Sequence, residues 1–82
     1  MTYTLQHRSP YGENGTDILS EFADYSMVLQ AVINHADDVV GGFLIPLSTP
    51  HAVAGIQADK PLQAWTLNGE DGYLGTLYIT QS

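Results

Sequence analysis

In Asp17-Ile-Leu-Ser-Glu-Phe-Ala-Asp-Tyr-Ser-Met-Val-Leu-Gln-Ala-Val-Ile-Asn-His-Ala-Asp-Asp-Val-Val40, the choice between strand and helix sets the architecture of the chain. Ile18, Phe22, Tyr25, Leu29, Val32, Ala36 and Val39 recur at spacings of four and three, so the whole stretch can be read as one amphipathic helix. Such a helix would run to about 35 Å at 1.5 Å per residue, more than the expected width of a small domain. A break at Asp24 gives a different solution. Asp17 to Ala23 becomes the return strand of a hairpin, Asp24 becomes an N-cap, and a helix runs from about Tyr25 to Val39, with Gly41-Gly42 as a permissive C-cap. Val28, Leu29, Val32, Ile33, Ala36 and Val39 then form the apolar face of that helix, while Ser26, Gln30, Asn34 and Asp37 or Asp38 form its polar stripe.

Outward from this segment the pattern is one of strands. Tyr3, Leu5 and His7 alternate with Thr4, Gln6 and Arg8, the period of a half-buried strand. Ser9 to Thr16 concentrates a proline, two glycines and an Asn-Gly step, which reads as a hairpin loop. After the helix, Phe43-Leu-Ile-Pro-Leu47 is a short candidate strand that Pro46 confines to an edge or an end. Ser48 to Gly55 reads as a loop with one helical turn beginning at Pro50. Leu62 to Leu67 and Tyr73 to Thr80 are the clearest strands, joined by Asn68-Gly-Glu-Asp-Gly72 as a hairpin loop. Gly12-Glu-Asn-Gly15 echoes Gly69-Glu-Asp-Gly72, the repetition of turn residues at two turns. The order predicts a single α+β domain over residues 1–82: an antiparallel sheet of four to five strands, β-β-α-(β)-β-β, with one helix packed on one face.

Composition excludes several chemistries. Absence of cysteine removes disulfides, thiolate nucleophiles and sulfur-ligated metal centres. No apolar run approaches the ~18 residues of a membrane helix and Met1 to Pro10 has no apolar signal region, so a cytoplasmic protein is expected. Arg8 and Lys60 are the only two basic residues, too few to neutralise a nucleic-acid backbone, so neither nucleic acid nor an anionic membrane is expected as a direct ligand. Hydrophobic residues make up 44% of the chain, enough to support a core and to exclude disorder.

Catalytic and cofactor patterns are lacking. His35 with Asp37 and Asp38 resembles a metal-ligand run but lacks the i, i+4 spacing that places two ligands on one helix face. Neither Glu13-Asn-Gly-Thr-Asp17 nor Asn68-Gly-Glu-Asp-Gly72 has the ligand cadence of a calcium loop. No nucleophile elbow surrounds a serine, and Gly41-Gly42 closes a helix where a phosphate loop would open one. No catalytic residue, no metal ligand and no cofactor is therefore predicted.

The acid has a position as well as a total. Nine carboxylates face two bases, a formal charge of −7, yet charged residues are only 13% of the chain, about half the usual ~25%. Between Arg8 and Lys60 lie Glu13, Asp17, Glu21, Asp24, Asp37, Asp38 and Asp59 with no Lys or Arg among them. Such a one-signed field keeps a small domain soluble, and it also steers association with a basic partner. The tyrosines at 3, 11, 25, 73 and 78, with Trp65, supply rigid amphipathic side chains of the kind interfaces favour. Size, acidity, lack of cysteine and the α+β pattern together resemble the small inhibitor proteins of phages and mobile elements, the anti-CRISPR and anti-restriction proteins. The resemblance is of class and assigns no residue a role. It implies a non-enzymatic protein that occupies a basic, nucleic-acid-handling surface of a host defence complex, as a monomer or homodimer. Glu13, Asp17, Glu21, Asp24, Asp37, Asp38, Glu70, Asp71, Tyr11 and Tyr25 are the expected partner-binding residues. A self-associating accessory module using the edge strand near Phe43, and a small enzyme or metal protein using paired histidines, are the alternatives.

Overall fold

A computed structural model describes residues 1–9, 16–52 and 56–82, excluding the side chains of Thr16, Asp17 and His51. Tyr3–Arg8 forms β1 and Thr16–Phe22 forms β2. Helix α1 spans Tyr25–Asp37, and β3 is Phe43–Pro46. Two short 3-10 turns, Pro50–Ala52 and Gln57–Asp59, lead to β4 (Gln63–Gly69) and β5 (Gly72–Gln81). The strands form one five-stranded sheet in the order β2-β1-β5-β4-β3, every neighbouring pair antiparallel, as an α+β reading requires.

The break at Asp24 decides between strand and helix as expected. Phe22 and Ser20 pair with Tyr3 and Leu5 of β1, so the chain before Asp24 is held in the ladder. Asp24 occupies the N-cap in an extended conformation, although its carboxylate makes no capping hydrogen bond. The helix ends two residues sooner than its apolar pattern suggests, at Asp37 with Asp38 as C-cap. Gly41-Gly42 is not the cap. It belongs to the next turn, closed by Gly42 N–H donating to Val39 O, where Gly41 takes a left-handed φ of +68°. Val28, Val32 and Ala36, one row at i, i+4 and i+8, are buried. Ile33, assigned by periodicity to the apolar face, is 50% exposed because the face is narrower than the pattern.

Residues opposite one another in an antiparallel ladder share a face. Leu5, Leu77, Ile79, Trp65 and Leu67 therefore point towards α1 and form the main core with its buried row. The other face carries Thr4, Thr76, Tyr78 and Ala64. Part of it is covered by the connection between β3 and β4, where Leu47 and Ile56 pack on Ala64 and Tyr78. The Tyr78 hydroxyl lies 2.7 Å from Asp59 Oδ2 and 3.3 Å from Gln6 Oε1, which ties that connection to β1 and β5.

The last hairpin is tighter than its composition suggests. Asn68 pairs with Tyr73 and Gly69 with Gly72, so Asn68, Gly69 and Gly72 belong to strands and Glu70-Asp71 alone form the turn. The ladder shifts between Leu67 and Asn68, leaving Leu74 as an extra residue on β5. Next to this bulge, Gly75 adopts φ +119°, and a Cβ there would lie 2.3 Å from Arg8 O and 2.6 Å from His7 Nε2. Gly72 has a similar φ of +115° with nothing within 4 Å of the same position. Two alanine variants thus separate backbone strain from collision. Gly72→Ala should cost about 1–2 kcal/mol in urea unfolding, as strain alone, and Gly75→Ala at least ~2 kcal/mol more. Equal losses would show that the approach of β1 to the bulge is not tight.

Candidate functional site

Antiparallel pairing brings several chain segments to one end of the sheet. There β1 ends at Arg8, β4 ends at Gly69, and β5 and β3 begin at Gly72 and Phe43. α1 leaves the opposite end, beside Tyr3, and finishes close to His7, whose ring centroid lies 6.1 Å from that of His35. The turn after the helix then docks on the last hairpin, Glu70 N–H donating to Val40 O at 2.9 Å. Asp37 and Asp38 of the helix end thereby lie at the same end of the sheet as Glu70 and Asp71 of the hairpin turn, all four exposed. The helix C-terminus contributes further negative potential of about half a charge.

Not all expected partner-binding residues share this end. Glu21 pairs with Thr4 and Asp24 caps the start of α1, so both exposed carboxylates lie at the opposite end of the sheet. Asp17 stands opposite His7 in the ladder, at the acidic end, by backbone position. Tyr11 and Glu13 lie outside the described residues. Tyr25 is half-buried, its ring 5.2 Å from that of Tyr3 and its hydroxyl donating to Gln63 Oε1 at 2.8 Å. It anchors the first turn of the helix. Trp65 and Tyr78 are core residues, and Tyr73 is the exposed tyrosine among those described.

Three exposed side chains at the acidic end are not among the ten expected partner-binding residues, although Tyr73 is one of the tyrosines suited to an interface and Phe43 lies on the candidate edge strand. Val40 is 74% exposed, Phe43 52% and Tyr73 50%. Phe43, Asn68 and Tyr73 form one row across β3, β4 and β5 on the face away from α1. The sequence does carry a signal for the first two: Val40 and Phe43 flank Gly41-Gly42, apolar residues where a turn ordinarily places polar ones. On the helix side a cleft of about 240 Å³ opens between the two docked turns, lined by Val39, Val40, Gly69, Glu70, Asp71 and Leu74.

No family model matches this chain, and neither the curated proteins nor the solved structures give a significant match. The geometry therefore carries the functional reading.

The histidines are not mutually remote. His7 and His35 are half-buried neighbours between β1 and α1. Because a carbonyl only accepts, the 2.9 Å contact of His7 Nε2 with Leu74 O fixes Nε2 as the protonated nitrogen. His51 lies in the Pro50–Ala52 turn. Among the described residues no three His, Asp or Glu side chains converge where a metal ion could be held, and no described helix is long and apolar enough to cross a membrane.

Burial, and then the neighbouring Tyr3, raise the Tyr25 phenol above its ordinary value near 10. A group with a raised folded-state pKa stabilises fully below its unfolded value, and this contribution is lost as pH rises through the folded one. Urea midpoints should therefore fall as pH rises above about 10, and less steeply in Tyr25→Phe. An identical slope in the variant would remove Tyr25 from the alkaline transition.

Proposed function

We propose that this protein is a non-enzymatic binding protein that occupies a basic surface of a nucleic-acid-handling protein partner, the mode of action of small acidic inhibitors of host defence complexes. The observation that supports this reading is the docking of the helix-exit turn on the last hairpin by the Glu70–Val40 hydrogen bond, which puts the exposed Asp37, Asp38, Glu70 and Asp71 at one end of the sheet, with exposed Val40 at that end and exposed Phe43 and Tyr73 there on the other face. Of the two basic residues, Lys60 follows the second 3-10 turn, while Arg8 ends β1 at this same end of the sheet, with β5 between it and β4. The acidic end thus offers long-range attraction to a basic surface and apolar groups to hold it.

The experiment is binding to a panel of purified nucleic-acid-binding defence effectors. Retention by at least one is expected, falling steeply between 0.1 and 0.5 M salt, on the order of tenfold or more. Asp37→Lys with Asp38→Lys should weaken that binding by about tenfold or more, whereas Glu21→Lys with Asp24→Lys at the other end should change it by less than about threefold. Salt-insensitive retention, equal effects at both ends, or no retention by any effector would overturn the reading.

A specific observation favours a second reading, association between copies through β3. Phe43 and Ile45 are about half exposed on this edge strand, and residues 43–47 carry no charge to guard it. Leu47 N–H donates to Ala64 O, so by alternation Phe43 and Ile45 also bond to β4, leaving Leu44 and Pro46 facing outward. Pro46 has no N–H to offer, which restricts pairing across this edge. Sedimentation should accordingly give a monomer mass from micromolar to millimolar protein, and a mass rising towards twice that value would establish the second reading.

A further inference from the structure

We infer that the cleft between the helix-exit turn and the last hairpin receives an arginine side chain of the partner protein. This deepens the proposed function and rests on it. The cleft is built rather than incidental. Gly69 lacks the Cβ that would otherwise stand 2.8 Å from Val39 Cγ1 and 3.0 Å from Leu74 Cδ1, so these two side chains close over its backbone as an apolar floor. Val40 forms a wall, and Glu70 N–H bonded to Val40 O holds the two sides together. Glu70 and Asp71 complete the lining.

Size and chemistry select the occupant. About 240 Å³ is below the ~300–1,000 Å³ typical of small-molecule sites and suits a single long side chain. A wholly apolar side chain would desolvate the two carboxylates without pairing them. A basic one satisfies both parts of the lining: its methylene stem lies on Val39, Val40 and Leu74 while its charge meets Glu70 and Asp71. Arginine is preferred over lysine because a planar guanidinium bonds carboxylates bidentately and is more weakly hydrated than an ammonium. The negative helix end, with Asp37 and Asp38 at the same end of the sheet, favours the same sign of charge.

The test titrates the tripeptides Gly-Arg-Gly, Gly-Lys-Gly and Gly-Leu-Gly, with blocked ends, into isotopically labelled protein and follows backbone amide shifts. Gly-Arg-Gly should give saturable shifts at Val39, Val40, Glu70, Asp71 and Leu74, with affinity in the millimolar range, and Gly-Lys-Gly should bind at least about twofold more weakly. Gly-Leu-Gly should leave those signals in place. Glu70→Gln with Asp71→Asn should weaken the arginine peptide by about fivefold or more, and Glu21→Gln with Asp24→Asn, at the other end, should leave it unchanged. Shifts that follow the carboxylates at both ends, an equal response to leucine, or no saturable shift would overturn the inference. The two proposals fail separately: salt-dependent effector binding that is weakened by Asp37→Lys with Asp38→Lys, with a cleft silent to arginine, discards the arginine site and keeps the binding function.

Discussion

The structure depends on burying β5 on both faces with the resources of a very small chain. Leu77 and Ile79 face the helix, Thr76 and Tyr78 face the other way, and all four are nearly or fully inaccessible. One helix covers one face. Covering the second falls to the connection between β3 and β4, which explains why that connection is long and why Leu47, Ile56 and Pro61 are turned inward. A domain of 82 residues gains little surplus from burial over the entropy of ordering its chain, so a two-sided central strand leaves few apolar residues to spare. Apolar side chains nevertheless remain exposed, Val40, Phe43 and Tyr73 at the acidic end and Met1, Ile18, Met27, Ile33 and Leu62 elsewhere among the described residues.

The same strand sets the geometry of that end. Its bulge at Leu74 and the open side of Gly75 let β1 and the His7 ring approach closely, with the Leu74 carbonyl accepting from the imidazole. Leu74 turns its side chain towards Gly69 and Val39, beneath the helix-exit turn. A single irregularity thus links the packing of β1 on β5 to the floor of the cleft. Acids far apart in sequence are brought together as a consequence of packing, with Glu70 bonded to the backbone two residues after Asp38.

Local periodicity made the strands, the break at Asp24 and the one-helix architecture legible. Helix length did not exclude the alternative, because the molecule's long axis is 36 Å and could hold an unbroken helix; the pairing of Ser20 and Phe22 with β1 does exclude it. What sequence could not give was tertiary. The periodic pattern runs on to Val39, but the chain must turn at Asp38 to reach the hairpin, and Ile33 belongs to the pattern while its neighbours fill the sheet. Counting carboxylates between Arg8 and Lys60 located a charge imbalance along the chain and not in space. Folding divides that run, sending Glu21 and Asp24 to one end and Asp37 and Asp38 to the other, where Glu70 and Asp71 from beyond Lys60 also lie.

This division bears on how an acidic binding protein of such low charge density would act. Duplex DNA presents one phosphate charge per ~1.7 Å of axis, and the few carboxylates at one end, Asp37, Asp38, Glu70 and Asp71 with Asp17 by backbone position, cannot reproduce such a field. Under the proposed reading they supply orientation and encounter rate, while affinity must come from desolvated contacts at Val40, Phe43 and Tyr73 and from the cleft. Rim charges act mostly on association and apolar anchors mostly on dissociation, so the two groups of residues would control different halves of the binding constant. A surface divided in this way distinguishes a basic protein from other cations by the side chains that accompany the charge, a discrimination that phosphate mimicry alone would not provide.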